Sequence, residues 1–255
     1  MDWIEIIALV VCVSFVVWGV VYKRKSPKQL RAAERLLMSL SEYEVARLEQ
    51  FQFLDLAFYD DAQAAFEGLG YRLLGNLTDR RIGANSPVRT FVRVMVSSDG
   101  ADVGAIFHLR FRGPLKILLW VFRVKEQRVV EQETEFSDGT FLNTTLADAR
   151  IMLAQPSAFQ TEHMPADTTV RQLCFRHSKR VAERLKGIPD VATVTITTLE
   201  EAIASQRRGE WVKVLWRRKL GGLTRDELVK LAPCGMQGDT HHFYDELLQE
   251  RERNG

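Results

Sequence analysis

An uncharged apolar run near the N-terminus sets the first constraint on this chain. Ile6 to Tyr22 is seventeen residues without a charged side chain, and Trp3 to Tyr22 is twenty with only Glu5 charged. A helix of that length rises about 30 Å, enough to cross the hydrocarbon core of a bilayer. Trp3, Trp18 and Tyr22 fall near its ends, where amphipathic rings favour the interface. A buried helix of a soluble domain is rarely apolar on every face over so many turns.

The flanks orient this predicted span. Asp2 and Glu5 lie before or at its start, while Lys23, Arg24, Lys25, Lys28 and Arg31 follow it with no acidic residue among them. Positive charge stays on the cytoplasmic side. The expectation is therefore a single-pass protein with its N-terminus outside and everything beyond Lys23 in the cytoplasm. A cleaved signal peptide would have a basic start, a small-residue cleavage site and no basic cluster directly after the apolar run. The sequence has the opposite of each.

With 255 residues, 46% of them apolar, the rest of the chain can bury a sizeable core. The 35 Lys and Arg nearly balance 33 Asp and Glu, which argues against a dedicated nucleic-acid binder. Cys12, Cys174 and Cys234 are odd in number and widely spaced, so no disulfide framework follows and a reducing compartment fits best.

Ser26-Pro27-Lys28-Gln29 reads as a capped helix start, with Leu30, Ala33, Leu37 and Leu40 on one face. Ser41 with Glu44 repeats the capping signal, and Val45, Leu48 and Leu54 extend a helical stripe. A further helix from about Asp61 should stop at Gly68-Leu69-Gly70. The centre then changes period. Residues 71–77, 89–97, 102–112, 116–125, 127–136 and 140–146 read as strands, separated in their later part by Ser98-Asp99-Gly100, Gly113-Pro114, Glu126-Gln127 and Ser137-Asp138-Gly139. Consecutive hairpins of this kind make an antiparallel meander. The strand 116–125 is apolar on both faces, so it should be covered on both sides.

Within the stretch EQETEFSDGTFLNTT (131–145), alternation places Glu131, Glu133 and Glu135 on one strand face and Gln132, Thr134 and Phe136 on the other. Asp138-Gly139 is a hairpin dipeptide. The reading is a turn beside a solvated acidic face, in preference to paired catalytic carboxylates. The run T-E-F-S-D-G-T-F-L-N-T-T resembles a signature of a group of uncharacterised bacterial single-pass membrane proteins. These carry an earlier strand like Gly70-Tyr71-Arg72-Leu73-Leu74-Gly75 and a later helix with a lone histidine, here His177. The resemblance spans roughly residues 60–230. It implies the inner-membrane topology and the fold, and no activity.

Thr169 and Gln172 can close a capping box on a helix that ends near Gly187 and Pro189. Val170, Leu173, Cys174, His177, Val181 and Leu185 share its apolar side. Cys174 and His177 could be a nucleophile and base, with Glu133 as a carboxylate partner, or two ligands of a Cys174/His177/Cys234/His241 metal site. No knuckle spacing supports the metal, and none is expected. The preferred reading is a core histidine hydrogen-bonded to a strand group such as Glu133 or Thr144.

Thr198 and Glu201 cap a helix that runs into a basic, tryptophan-bearing stretch. Arg207, Arg208, Trp211, Lys213, Trp216, Arg217, Arg218 and Lys219 are candidates for contact with anionic lipid headgroups. The alternative is an ordinary helix with tryptophans packed inward and arginines in water. Thr224 to Glu227 caps another short helix, and a charged tail follows Thr240.

The expected fold class is α+β: a transmembrane anchor (1–25), a helical neck (26–59), a cytoplasmic domain (60–235) with an antiparallel β-meander sheet flanked by helices, and a charged C-terminal helix or tail (236–255). No phosphate loop, zincin motif or nucleophile elbow is present in the sequence, so no cofactor is implied. The leading functional reading is a non-catalytic, membrane-tethered binding or scaffolding module. Its partners would be the bilayer through residues 3–22, anionic headgroups and a protein of unknown identity, with no nucleic acid. The second reading is a membrane-proximal, hydrolase-like enzyme using His177 with Cys174 or a carboxylate.

Overall fold

The computed structural model describes residues 34–35, 37–82, 89–110, 126–147 and 153–231, with a few helical positions between 244 and 252. The apolar run 3–22, the two-faced strand expected at 116–125, and Cys234, His241 and His242 lie outside the described residues.

The fold is α+β. Among the described residues seven strands form one sheet in chain order: β1 (Tyr43–Val45), β2 (Arg72–Asp79), β3 (Val92–Val96), β4 (Val103–Leu109), β5 (Gln127–Glu135), β6 (Phe141–Thr145) and β7 (Phe159–His163). Neighbours run antiparallel from β1 to β6, and β7 joins β6 in parallel. A short 3-10 helix (Leu48–Phe51) and helix α1 (Leu56–Glu67) connect β1 to β2. Helices α2 (Val170–Gly187), α3 (Leu199–Lys219) and α4 (Arg225–Leu231) follow the last strand.

Local chemistry sets most of these ends. Thr169 and Gln172 form a complete capping box at the start of α2, and Thr198 with Glu201 forms another on α3. Gly139 turns the β5–β6 hairpin at φ 75°, and Asp138 accepts the Thr140 amide.

Two elements differ from the sequence expectation. Tyr43–Val45, placed in a helical neck, is an edge strand paired with Leu77–Asp79, so the sheet begins inside the segment assigned to the neck. Residues 159–163, which lie outside the strands read from the sequence, are β7. Arg180 on α2 holds this parallel pair together by donating to the Asn143 carbonyl of β6 and, at 2.8 Å, to the Gln160 carbonyl of β7.

Helices α1 and α2 cover one face of the sheet. Tyr59, Ala62 and Phe66 of α1 and Leu173 and Cys174 of α2 pack with Phe91, Met95, Ile106 and Val130 into the main apolar core. Tyr59 stacks on Phe91 with centroids 4.2 Å apart, and Phe66 closes over Gly104, where a side chain would collide with its ring.

Helix α3 occupies the opposite face, and the sheet curls around it. Gly209 sits against Phe141 of β6 and Phe159 of β7, rings stacked 4.7 Å apart. The next residue, Glu210, accepts the Ser41 amide at 3.0 Å and the Tyr43 hydroxyl, both at the β1 edge. The outer strands of a flat seven-stranded sheet would stand about 29 Å apart. Consecutive residues of one helix can reach both edges only because the sheet is strongly concave towards α3.

Candidate functional site

His177 lies at the junction of α2 with β5 and β6 and is fully buried. Its Nδ1 is 3.0 Å from Thr144 Oγ1, and its Nε2 is 2.9 Å from Thr134 Oγ1. Thr134 donates to Asp102 Oδ1, which stands 3.6 Å from Nε2. On the other side, Arg180 donates to Thr144 Oγ1 at 2.7 Å. Thr134 spends its one proton on Asp102, so the Nε2 proton goes to Thr134. In the neutral ring Nδ1 then accepts from Thr144, which itself accepts from Arg180. A single chain of hydrogen bonds thus runs from a cation to a carboxylate through the imidazole.

The Asp102 carboxylate also meets Tyr71, whose hydroxyl is 3.4 Å from Oδ2 and accepts from Gln132. Burial alone would raise Asp102, but its bonds with His177, Thr134 and Tyr71 hold it below the usual carboxylate range. Burial pushes the Tyr71 phenol up, and the nearby Asp102 charge adds to the effect. The Cys174 thiol is pushed up to about 12, first by burial and then by Asp102. A thiol in that state is a small core hydrophobe with almost no thiolate at neutral pH.

Of the sequence candidates for chemistry, Cys174 and His177 are neighbours on α2, but Glu133 is not with them. It projects from the other face of β5, where Gln206 of α3 donates to it at 2.9 Å. The expected bond from His177 to Thr144 is present, and Thr134 takes the place considered for Glu133. Asp102 and Arg180, which complete the chain, carry no local sequence signal that sets them apart. A groove of about 590 Å³ at the start of α2 is lined by Met164, Pro165, Arg171 and the exposed Phe175, among others, and includes neither His177 nor Cys174. Among the described residues no group of three or more His, Cys, Asp and Glu could hold a metal ion.

The acidic face of β5 is buried rather than solvated. Glu131, Glu133 and Glu135 are 3%, 6% and 5% exposed. The cause is α3, which lies over this face and supplies donors to Glu133 and Glu135. Ser205 bonds Glu135 at 2.6 Å, and Arg208 engages both Glu135 oxygens. Lys213 tucks its ammonium 3.9 Å from the centre of the Phe159 ring.

The basic stretch of α3 is therefore divided. Lys213 and Arg217 face inward, and Arg217 forms a buried ion pair with Glu227 of α4 at 2.6 Å. Trp216 is half-buried beside the Arg217 guanidinium. Arg208 remains half-exposed while paired to Glu135. Arg207, Trp211, Arg218 and Lys219 face out.

Among the described residues no helix is long and apolar enough to cross a membrane. Comparison with protein-family models, with curated proteins and with solved structures finds no match to this chain.

Proposed function

We propose that this chain is a single-pass, membrane-tethered protein whose α+β domain is a non-catalytic binding or scaffolding module on the cytoplasmic side. The tether is the apolar run 3–22, and its orientation rests on the basic cluster from Lys23 to Arg31.

One observation carries the non-catalytic reading. His177, the residue best suited to act as a base, is wholly buried with both ring nitrogens engaged by strand hydroxyls. A general base needs hydrogen-bond reach to a substrate proton. Here both positions through which the ring could exchange a proton are filled by the protein's own side chains. Cys174 is buried beside it with its thiol held protonated, and Glu133 is on the far side of the sheet. These groups support a domain whose polar interior fixes its shape.

Reporter fusions test the topology. A reporter that folds only outside the cytoplasm, fused after Gly255, should be inactive, while a cytoplasmic reporter at the same position should be active. The reverse pattern would overturn both the orientation and the inference of a reducing compartment.

A further inference from the structure

We propose that the outward stripe of α3, formed by Arg207, Trp211, Leu215, Arg218 and Lys219, docks on the anionic surface of the bilayer that holds the chain. This rests on the tethered reading above and names the partner of one face of the domain.

The composition of the stripe is the first ground. From Ala204 to Gly221 the exposed positions are Ala204, Arg207, Arg208, Trp211, Leu215, Arg218, Lys219, Leu220 and Gly221, with no carboxylate among them. Glu210, the one acid in this part of the helix, is turned inward onto Ser41 and Tyr43. Trp211 and Leu215 are 47% and 41% exposed and one helical turn apart. The sheet is already covered by the opposite side of the helix, so packing within the domain does not use these two side chains fully. An indole and a leucine flanked by Arg and Lys match a headgroup layer over acyl chains.

Position is the second ground. Arg218 donates to the Met38 carbonyl at 3.1 Å, and the Leu223 amide donates to Glu34 Oε1 at 2.9 Å. The basic end of α3 is thereby pinned to residues 34–38. Glu34 follows the end of the apolar run at Tyr22 by twelve residues. That connection spans about 18 Å as a helix and about 40 Å at full stretch. The end of α3 thus stays within a short reach of the headgroups, and the connection itself carries Lys23, Arg24, Lys25, Lys28 and Arg31. Each basic side chain at an anionic surface multiplies the docked population by about five, and salt weakens the effect.

The test uses the full chain in lipid nanodiscs of phosphatidylcholine alone or mixed with phosphatidylglycerol. Brominated acyl chains quench nearby tryptophans, and subtracting the signal of Trp211→Phe isolates that ring from Trp3, Trp18, Trp120 and Trp216. The Trp211 component should be quenched in anionic discs at low salt, and several-fold less in neutral discs or at high salt. Arg207→Glu/Lys219→Glu, which spares the Arg218 bond to Met38, should abolish the difference while leaving the circular dichroism unchanged. Quenching of Trp3 and Trp18 without any of Trp211 would overturn the docking and leave the tether standing. No quenching of any tryptophan, with the chain extracted by carbonate, would remove both. Shielding of Trp211 from an aqueous quencher in lipid-free detergent would assign the face to protein contact and overturn the proposal.

Discussion

Arg208 lays its guanidinium across both oxygens of Glu135, with Nε 2.6 Å from Oε1 and Nη2 2.7 Å from Oε2. The carboxylate is 5% exposed and the guanidinium about half. This fork fixes α3 over the C-terminal end of β5 and raises the arginine above its ordinary range.

Arg208→Ala should therefore cost about 1–2 kcal/mol, because Glu135 would keep only Ser205 while remaining buried. Urea denaturation of the purified chain would measure it. Adding Glu135→Gln should recover part of the loss, since a neutral amide is cheaper to leave half-satisfied. An unchanged midpoint for Arg208→Ala would mean that the fork contributes nothing.

His177→Ala should destabilise the domain by about 1–3 kcal/mol by taking one interior partner each from Thr134 and Thr144 and emptying the space of the ring. Equilibrium unfolding checks this directly. Full stability in the variant would revive a catalytic role for the ring.

Acid should weaken the fold through His108. Its Nδ1 accepts the Asp55 amide at 3.0 Å and so cannot hold a proton of its own. Burial, the largest influence, holds its pKa below the usual 6.5, against the opposing pull of Glu126. Below about 6.5 the unfolded chain binds a proton that the folded chain refuses, so stability falls as pH falls, by at most about 1.4 kcal/mol per pH unit. His108→Asn keeps an acceptor for Asp55 without a titrating ring. Denaturation midpoints at pH 7.5 and 5.5 should differ less for the variant than for wild type. Asp102 acts in a lower window, since its depressed value gives up stability only below about 3.8.

Gly100 and Gly139 share φ 75°, but only the first is crowded: a Cβ at Gly100 would fall 2.7 Å from the Ile196 carbonyl oxygen. Gly139→Ala should cost about 1 kcal/mol for backbone conformation alone, and Gly100→Ala about 2–3 kcal/mol. Thermal or urea melts of the two variants side by side separate conformation from collision. Equal losses would show that the segment around Ile196 moves aside freely.

The elements most legible in the sequence are those whose cause is local. Thr169 with Gln172, Thr198 with Glu201 and Asp138-Gly139 carry their geometry within four residues, and each forms as read. The alternation of β5 is equally legible, including which residues share a face. Which face meets water is not, because the cover for Glu133 and Glu135 comes from α3, some seventy residues later. Tyr43–Val45 fits a helical stripe in isolation and becomes a strand by pairing with Leu77–Asp79. The partners of His177 are half visible. Thr144 stands out on its strand, whereas Asp102 looks like one more polar residue beside a turn.

The curl of the sheet has a consequence for how the chain acquires its structure. Glu210 meets Ser41 across 169 residues, and α3 follows every strand among the described residues. As synthesis proceeds, the hollow must stand open until the helix that fills it has emerged. A hollow lined by leucines would then offer a sticky surface to any neighbour. This one sets Glu131, Glu133, Glu135 and Asn143 beside the Phe141 and Phe159 rings; water can solvate the polar groups while the cleft is empty, and Arg208 and Gln206 engage Glu135 and Glu133 once it is full. The acidic lining serves as a placeholder for the last helix, and such distant closure favours slow, late-committing folding over rapid collapse.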